Sequence, residues 1–210
     1  MRRLLTTFDE QLRPEHAALL VIDMQNDFCA EGGYLQRERN YDVSRTDEIA
    51  RRIGVAAAAA RDAGLAVVWI RSIYDFKYLS EADVAKRGQE GCCLEGTWGA
   101  DFFKLAPALS ELIVDKHCFS GFKNTSLDEH LRERGIRTLI VTGVATNVCV
   151  DSTLRDGFFL GYYIILLEDC VGSNSRAGHD GTLATVRNNI GTVVPSEAMI
   201  ESLRRLTPSI

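Results

Sequence analysis

The chain reads as an α/β protein: a three-layer, doubly wound, mostly parallel six-stranded sheet with helices on both faces. Two observations predict this. Short, continuous apolar runs alternate with segments of helical period, and the chain between successive runs is long enough for a right-handed crossover. A third observation sets the scale. With 210 residues, 46% hydrophobic and 25% charged, residues 1–210 suffice for one domain that buries its own core without disulfides or metal.

Ala17 to Asp23 is the first apolar run, short enough for a buried parallel strand. A loop rich in glycine and charge follows. Ser44 to Ala63 then reads as a helix, with Ile49, Ile53, Ala56, Ala57 and Ala60 along one side and Gly64 as its stop. Leu65 to Ile70 is the second strand. Residues 73 to 107 hold no sustained period, with room for one short helix at Ala100 to Leu105, and a stretch of this length is usually functional, here read as a lid. Leu112 to Asp115 is the third strand. A helix from Thr125 to Arg134 follows, capped by Thr125 or Asn124 and ended by Gly135. Thr138 to Thr142, Tyr162 to Leu167 and Ile190 to Val194 complete the six strands, with helices near 148 to 160, 177 to 189 and 196 to 205.

Composition excludes several roles. A net charge of −5 without a Lys/Arg cluster argues against a nucleic-acid partner. The N-terminal residues lack the apolar stretch of a signal peptide, and no run suggests a membrane span, so the expected setting is cytoplasmic. The six cysteines, at 29, 92, 93, 118, 149 and 170, include no C-x-x-C pair and read as free thiols. No G-x-G-x-x-G follows the first strand, which sets aside a dinucleotide enzyme. A small molecule is the expected partner.

The candidate chemistry starts at Cys149. Gly143 breaks the fourth apolar run, and the chain from Val144 leads into helical pattern, which places Cys149 in the first turn of a helix. Unpaired N–H groups and the helix dipole there favour a thiolate, the nucleophilic form of cysteine. Inert packing is the competing reading. Parallel sheets bind ligands beyond the carboxyl ends of their strands, where the strand order reverses. Asp23 closes the first strand, Lys116 follows the third and Cys149 lies past the fourth, so an acid, a base and a thiol share one rim. Singly, Asp23 reads as a turn residue and Lys116 as a surface lysine; jointly they read as a covalent-catalysis set.

Three blocks carry a family resemblance: Leu20 to Phe28 (LVIDMQNDF), Asp115-Lys116, and Gly143 to Val150 (GVATNVCV). In this order, each at a strand end, they resemble the signatures of the isochorismatase-like cysteine hydrolases, over about residues 17 to 195. The resemblance implies a Rossmann-like doubly wound fold and an Asp-Lys-Cys triad carried by Asp23, Lys116 and Cys149. It further implies a cis peptide before Ala145 and an oxyanion hole formed by the N–H groups of Ala145 and Cys149. The implied reaction is hydrolysis of a C–N bond in a small linear amide, ureido or carbamoyl compound through a thioester.

Within the family, Ser120 to Thr125 with Leu127-Asp128, and Ser152 to Phe158, resemble the branch acting on ureido and carbamoyl compounds. Nicotinamidase-type members use an Asp-x-His pair for metal. This chain has histidine only at 16, 117, 130 and 179, with none between Trp69 and Lys77, so no metal and no cofactor is expected. A nicotinamidase-like enzyme and a non-catalytic small-molecule binder are the alternatives. Asn26, Phe28, Arg71, Tyr74, Trp98 and Phe119 are the candidate substrate contacts, Arg71 as a clamp for a carboxylate and the aromatics as a wall for a planar amide. Asp27, Glu168 and Asp169 read as structural. The alanine-rich stretch Val55 to Ala60 and the family resemblance point to a homo-oligomer, a dimer or tetramer.

Overall fold

Six apolar runs become six strands. The computed structural model describes residues 3–87 and 91–206. Its sheet comprises β1 (Ala17–Ile22), β2 (Ala66–Ser72), β3 (Leu112–Lys116), β4 (Thr138–Val144), β5 (Tyr163–Gly172) and β6 (Thr192–Val194), in the order β3-β2-β1-β4-β5-β6 with every pair parallel. The strand order reverses between β1 and β4, the crevice where such sheets bind ligands.

Strand alternation divides the core between the two faces. Leu19, Val21, Val67 and Trp69 point to one, where they pack against α4 (Thr46–Asp62) and α9 (Ser196–Leu206). Leu20, Ile22, Val68 and Ile70 point to the other, against α6 (Leu127–Glu133), α7 (Asp151–Phe159) and α8 (Arg176–Thr185). The stripe expected on α4 is the buried one, with Ile49, Ile53, Ala56, Ala57 and Ala60 all against the sheet. Most of the stretch Val55 to Ala60 therefore serves the core: Ala56, Ala57 and Ala60 are buried, while Val55 and Ala58 are exposed.

Several boundaries differ from the sequence reading. The supposed loop after β1 contains α2 (Asn26–Cys29) and α3 (Tyr34–Arg39), and a capped turn, α1 (Phe8–Gln11), precedes β1. The 73–107 stretch carries a 3-10 turn at Phe76–Tyr78, α5 (Glu81–Arg87) and a 3-10 turn at Trp98–Ala100. No helix forms over Ala100 to Leu105. Phe102 instead makes an antiparallel bridge with Gln25, and Lys104 takes a left-handed φ of 53°. The sixth helix begins at Leu127, because Asn124 is left-handed and the Thr125 hydroxyl turns back to the Gly121 carbonyl. π-type turns occupy 146–150 and 186–190, where continuous α-helix was expected.

Candidate active site

Two local features bring β1 and β4 together at the reversal point. Gly143 pairs with Ile22 at a φ of 114°, and a Cβ there would collide with the Ile22 carbonyl, so only glycine allows the strands to close at this point. Asp23 steps out of β1 with a left-handed φ of 53°, rare for a residue with a side chain, while its N–H still donates to the Ile70 carbonyl at 2.9 Å. The Val144–Ala145 peptide is cis, as the resemblance implied. Beyond it, the π-type turn over Thr146–Val150 carries Cys149.

Asp23, Lys116 and Cys149 converge. Lys116 is fully buried, and its Nζ lies 2.8 Å from Asp23 Oδ2 and 3.4 Å from Cys149 Sγ. The ammonium also donates to Ser72 Oγ at 2.8 Å and to the Cys118 carbonyl at 3.0 Å. Asp23 Oδ1 accepts from Ser72 Oγ at 3.0 Å. Oδ2 holds the ion pair but accepts no well-aligned hydrogen bond among the described residues. One carboxylate oxygen is therefore committed and the other is available for a proton.

Burial alone would strip the Lys116 proton, but Asp23 and then Cys149 oppose it and hold the ammonium well above the ordinary lysine value. The Cys149 thiol is pushed up to about 12, first by burial and then by the charge of Asp23, against the pull of Lys116. This corrects the expectation of a thiolate stabilised by a helix N-terminus. The turn is of π type, the residue is only 7% exposed, and Cys149 rests as a neutral thiol that needs a base.

The other expected contacts divide. Tyr74 is buried with its ring 5.6 Å from Lys116 Nζ, and Phe28 meets the Tyr74 ring edge-on at 6.5 Å. Asn26 anchors the 98–101 segment: its Nδ2 donates to the Trp98 carbonyl at 2.8 Å and its N–H to the Asp101 carbonyl at 3.0 Å. Trp98 and Phe119 are about half exposed, at 54% and 44%. Arg71 is not drawn into the site. It forms a bidentate pair with Asp115 at 2.7 and 2.9 Å, because the two are register partners on β2 and β3. Asp27 accepts from the Tyr34 and Cys93 N–H groups, Asp169 from Ser196, and Glu168 pairs with Arg187, all structural as read.

The sequence reading missed Ser72 and Gln25. Both are fully buried. Gln25 accepts from the Ser72 N–H at 2.7 Å and donates to the Ser72 and Ala100 carbonyls, both at 2.9 Å, tying the end of β2 to the 98–102 segment. The signal for Ser72 was its parity with Val68 and Ile70, which puts it on the face of Lys116. Two open surface cavities lie elsewhere. One of about 330 Å³ is lined by Leu65, Val67, Leu112 and His130 and the other by Tyr163, Ile164 and Thr192, at the opposite edge of the sheet, and neither touches the triad.

A doubly wound sheet with a cysteine, a lysine and an aspartate meeting at its switch point is the architecture of an α/β cysteine hydrolase. The family model described as Isochorismatase domain matches residues 17–198, and the chain belongs to the isochorismatase family. A ureidoacrylate amidohydrolase (RutB) of Klebsiella variicola (strain At-22) is 37% identical over 213 aligned residues, covering 93% of this chain and 90% of the relative. Among solved structures, a cysteine hydrolase from Pseudomonas syringae pv. phaseolicola 1448A aligns over 99% of this chain and 100% of its own at TM-score 0.85 and 29% identity. An N-carbamoylsarcosine amidase from Thermoplasma acidophilum aligns over 87% and 98% at TM-score 0.71 and 25% identity. The chain is a hydrolase acting on C–N bonds other than peptide bonds, with a small-molecule substrate. No helix among the described residues is long and apolar enough to cross a membrane.

Proposed function

We propose that this chain hydrolyses a small ureido or carbamoyl compound through a thioester on Cys149. The observation that carries the reading is the position of Lys116 Nζ, within 2.8 Å of Asp23 and 3.4 Å of Cys149 in one buried spot. Because Cys149 rests as a thiol, attack is coupled to proton transfer. The Sγ–H proton moves to Asp23 Oδ2 as Sγ bonds to the substrate carbonyl carbon, and Lys116 balances the charge. The N–H groups of Ala145 and Cys149 hold the oxyanion. As the C–N bond breaks, Asp23 returns the proton to the departing nitrogen, which leaves an acyl thioester and a free amine or ammonia. Water then adds with Asp23 as base, the C–S bond breaks, and the thiol is restored.

The closed site shapes specificity. Phe28 and Tyr74 flank a flat acyl group, while Asn26, Trp98 and Phe119 belong to the covering layer that a substrate displaces. Relatives named for ureidoacrylate and N-carbamoylsarcosine favour a ureido carbonyl over a nicotinamide one. Six free cysteines fit a reducing cytoplasm. The exposed run Phe158, Phe159 and Leu160, with Phe159 76% exposed, replaces the alanine stripe as the surface for a dimer or tetramer, which light scattering checks.

A panel of ureides, N-carbamoyl amino acids, biuret and nicotinamide, assayed for ammonia release, tests the substrate class. The expected result is a preference for ureides of at least about tenfold in kcat/KM, the scale of one or two well-placed contacts. Faster turnover of nicotinamide than of every ureide would overturn it.

A further inference from the structure

Ser72 ends β2 fully buried, and its main chain is gripped on both sides by one carboxamide, that of Gln25. Its hydroxyl bridges both charged members of the triad, 3.0 Å from Asp23 Oδ1 and 2.8 Å from Lys116 Nζ. The charges at its two ends set the polarity of this bridge. An ammonium can only donate, so Ser72 Oγ accepts from Lys116, and its single proton goes to the carboxylate in preference to the neutral Tyr74 hydroxyl beside it. That proton occupies Oδ1. The oxygen left without an aligned hydrogen bond is Oδ2.

We propose that Ser72 is a positioning residue: its hydroxyl, oriented by Gln25 and Lys116, commits Asp23 Oδ1 and so reserves Oδ2 as the one oxygen that exchanges a proton with Cys149. The proposal rests on the reading of Cys149 as nucleophile. Ser72 keeps its own proton throughout; only the thiol proton moves, from Sγ to Oδ2 and on to the departing nitrogen. Ser72 also explains how the covering layer reaches the chemistry. Gln25 binds the Ser72 main chain and the Ala100 carbonyl at once, so the seating of residues 98–102 and the aim of the hydroxyl depend on the same amide.

The test uses the full-length chain with Ser72→Ala and Ser72→Thr, and two readouts. One is kcat and KM on the ureide the wild type turns over best. The other is the rate of Cys149 alkylation by iodoacetamide against pH, read on the modified peptide by mass spectrometry, which requires no substrate. Ser72→Ala is expected to lower kcat roughly 10- to 100-fold with KM within about threefold, the scale of misplacing a general base. An Asp23 that is no longer aimed at Sγ takes the thiol proton less readily, so Cys149 alkylation near about pH 8 slows by about threefold or more. Ser72→Thr, which keeps the hydroxyl, restores the rate. An unchanged alkylation rate in Ser72→Ala, or equal impairment of the alanine and threonine variants, would overturn the proposal. If Ser72→Ala does not fold, Ser72→Cys, near in volume but a weak donor, is held to the same criteria. Should the wild type hydrolyse no ureide, the substrate reading fails while the alkylation profile still decides the role of Ser72.

Discussion

Arg71 and Ser72 are chain neighbours whose register partners, Asp115 and Lys116, are neighbours too. Side chains alternate along a strand, so the two pairs point to opposite faces of the sheet, the first at a partly exposed edge and the second into the crevice. Arg71 and Asp115 form a well-aligned ion pair with side chains 28% and 42% exposed. Ser72 and Lys116 are fully enclosed with Asp23. The exposed pair has the better hydrogen bonds and little consequence. The enclosed one lacks water, so each missing partner is felt by every other group in the network. Charge at a sheet rim becomes chemistry on the face where solvent cannot answer for it.

The largest test of this contrast is Lys116→Met, which leaves Asp23 buried without its counter-charge. Activity should fall by more than about 1,000-fold, and stability by about 3–5 kcal/mol, measured by ammonia release and urea denaturation. A stability loss below about 1 kcal/mol would show that the enclosed network tolerates a missing partner.

Alkaline titration is the next largest. Burial raises Cys149 and Cys170 to about 12, and Cys29 and Cys93 also lie above the ordinary thiol value. A folded state that holds these protons longer keeps its full advantage below the free-thiol value near 9 and loses it as pH climbs toward the folded values. Each such thiol should cost roughly 1.4 kcal/mol by about pH 10, giving a Tm drop on the order of 10 °C between about pH 8 and pH 10. Cys149→Ala should show a smaller drop over the same interval. Activity should stay level to about pH 9, since neither the Lys116 ammonium nor the thiol titrates below that.

The smallest effect belongs to Arg71→Ala, expected to change stability by about 1 kcal/mol or less and KM by less than about threefold. A tenfold rise in KM for a carboxylate-bearing ureide would return Arg71 to the substrate.

Much of this was legible in the chain. Asp23, Lys116 and Cys149 each follow an apolar run, and parallel topology brings such positions to one rim, so three distant residues could be grouped without coordinates. Parity could place Ser72 on the face of Lys116 only once β2 is known to run two residues past Ile70 to pair with β3, and no local propensity reports that partner. The same strand end misled the reading of Arg71: spacing placed it near the rim, and parity turned it away. The resting state of Cys149 was hidden for a related reason. Its place near a helix start argued for a thiolate, whereas enclosure and the adjacent Asp23 argue for a thiol and prevail. In the 73–107 stretch, the 3-10 turn at Trp98–Ala100 and the Cys93 main chain are held by Asn26 and Asp27 from far along the chain, which periodicity cannot report.

Turnover by Cys149→Ala, with the fold verified by circular dichroism and a melt at pH 7, tests the central claim most directly. Ammonia release from the best ureide at the buffer rate, in a protein that melts cooperatively, is the predicted result. Near-wild-type release from that same folded variant would contradict the account.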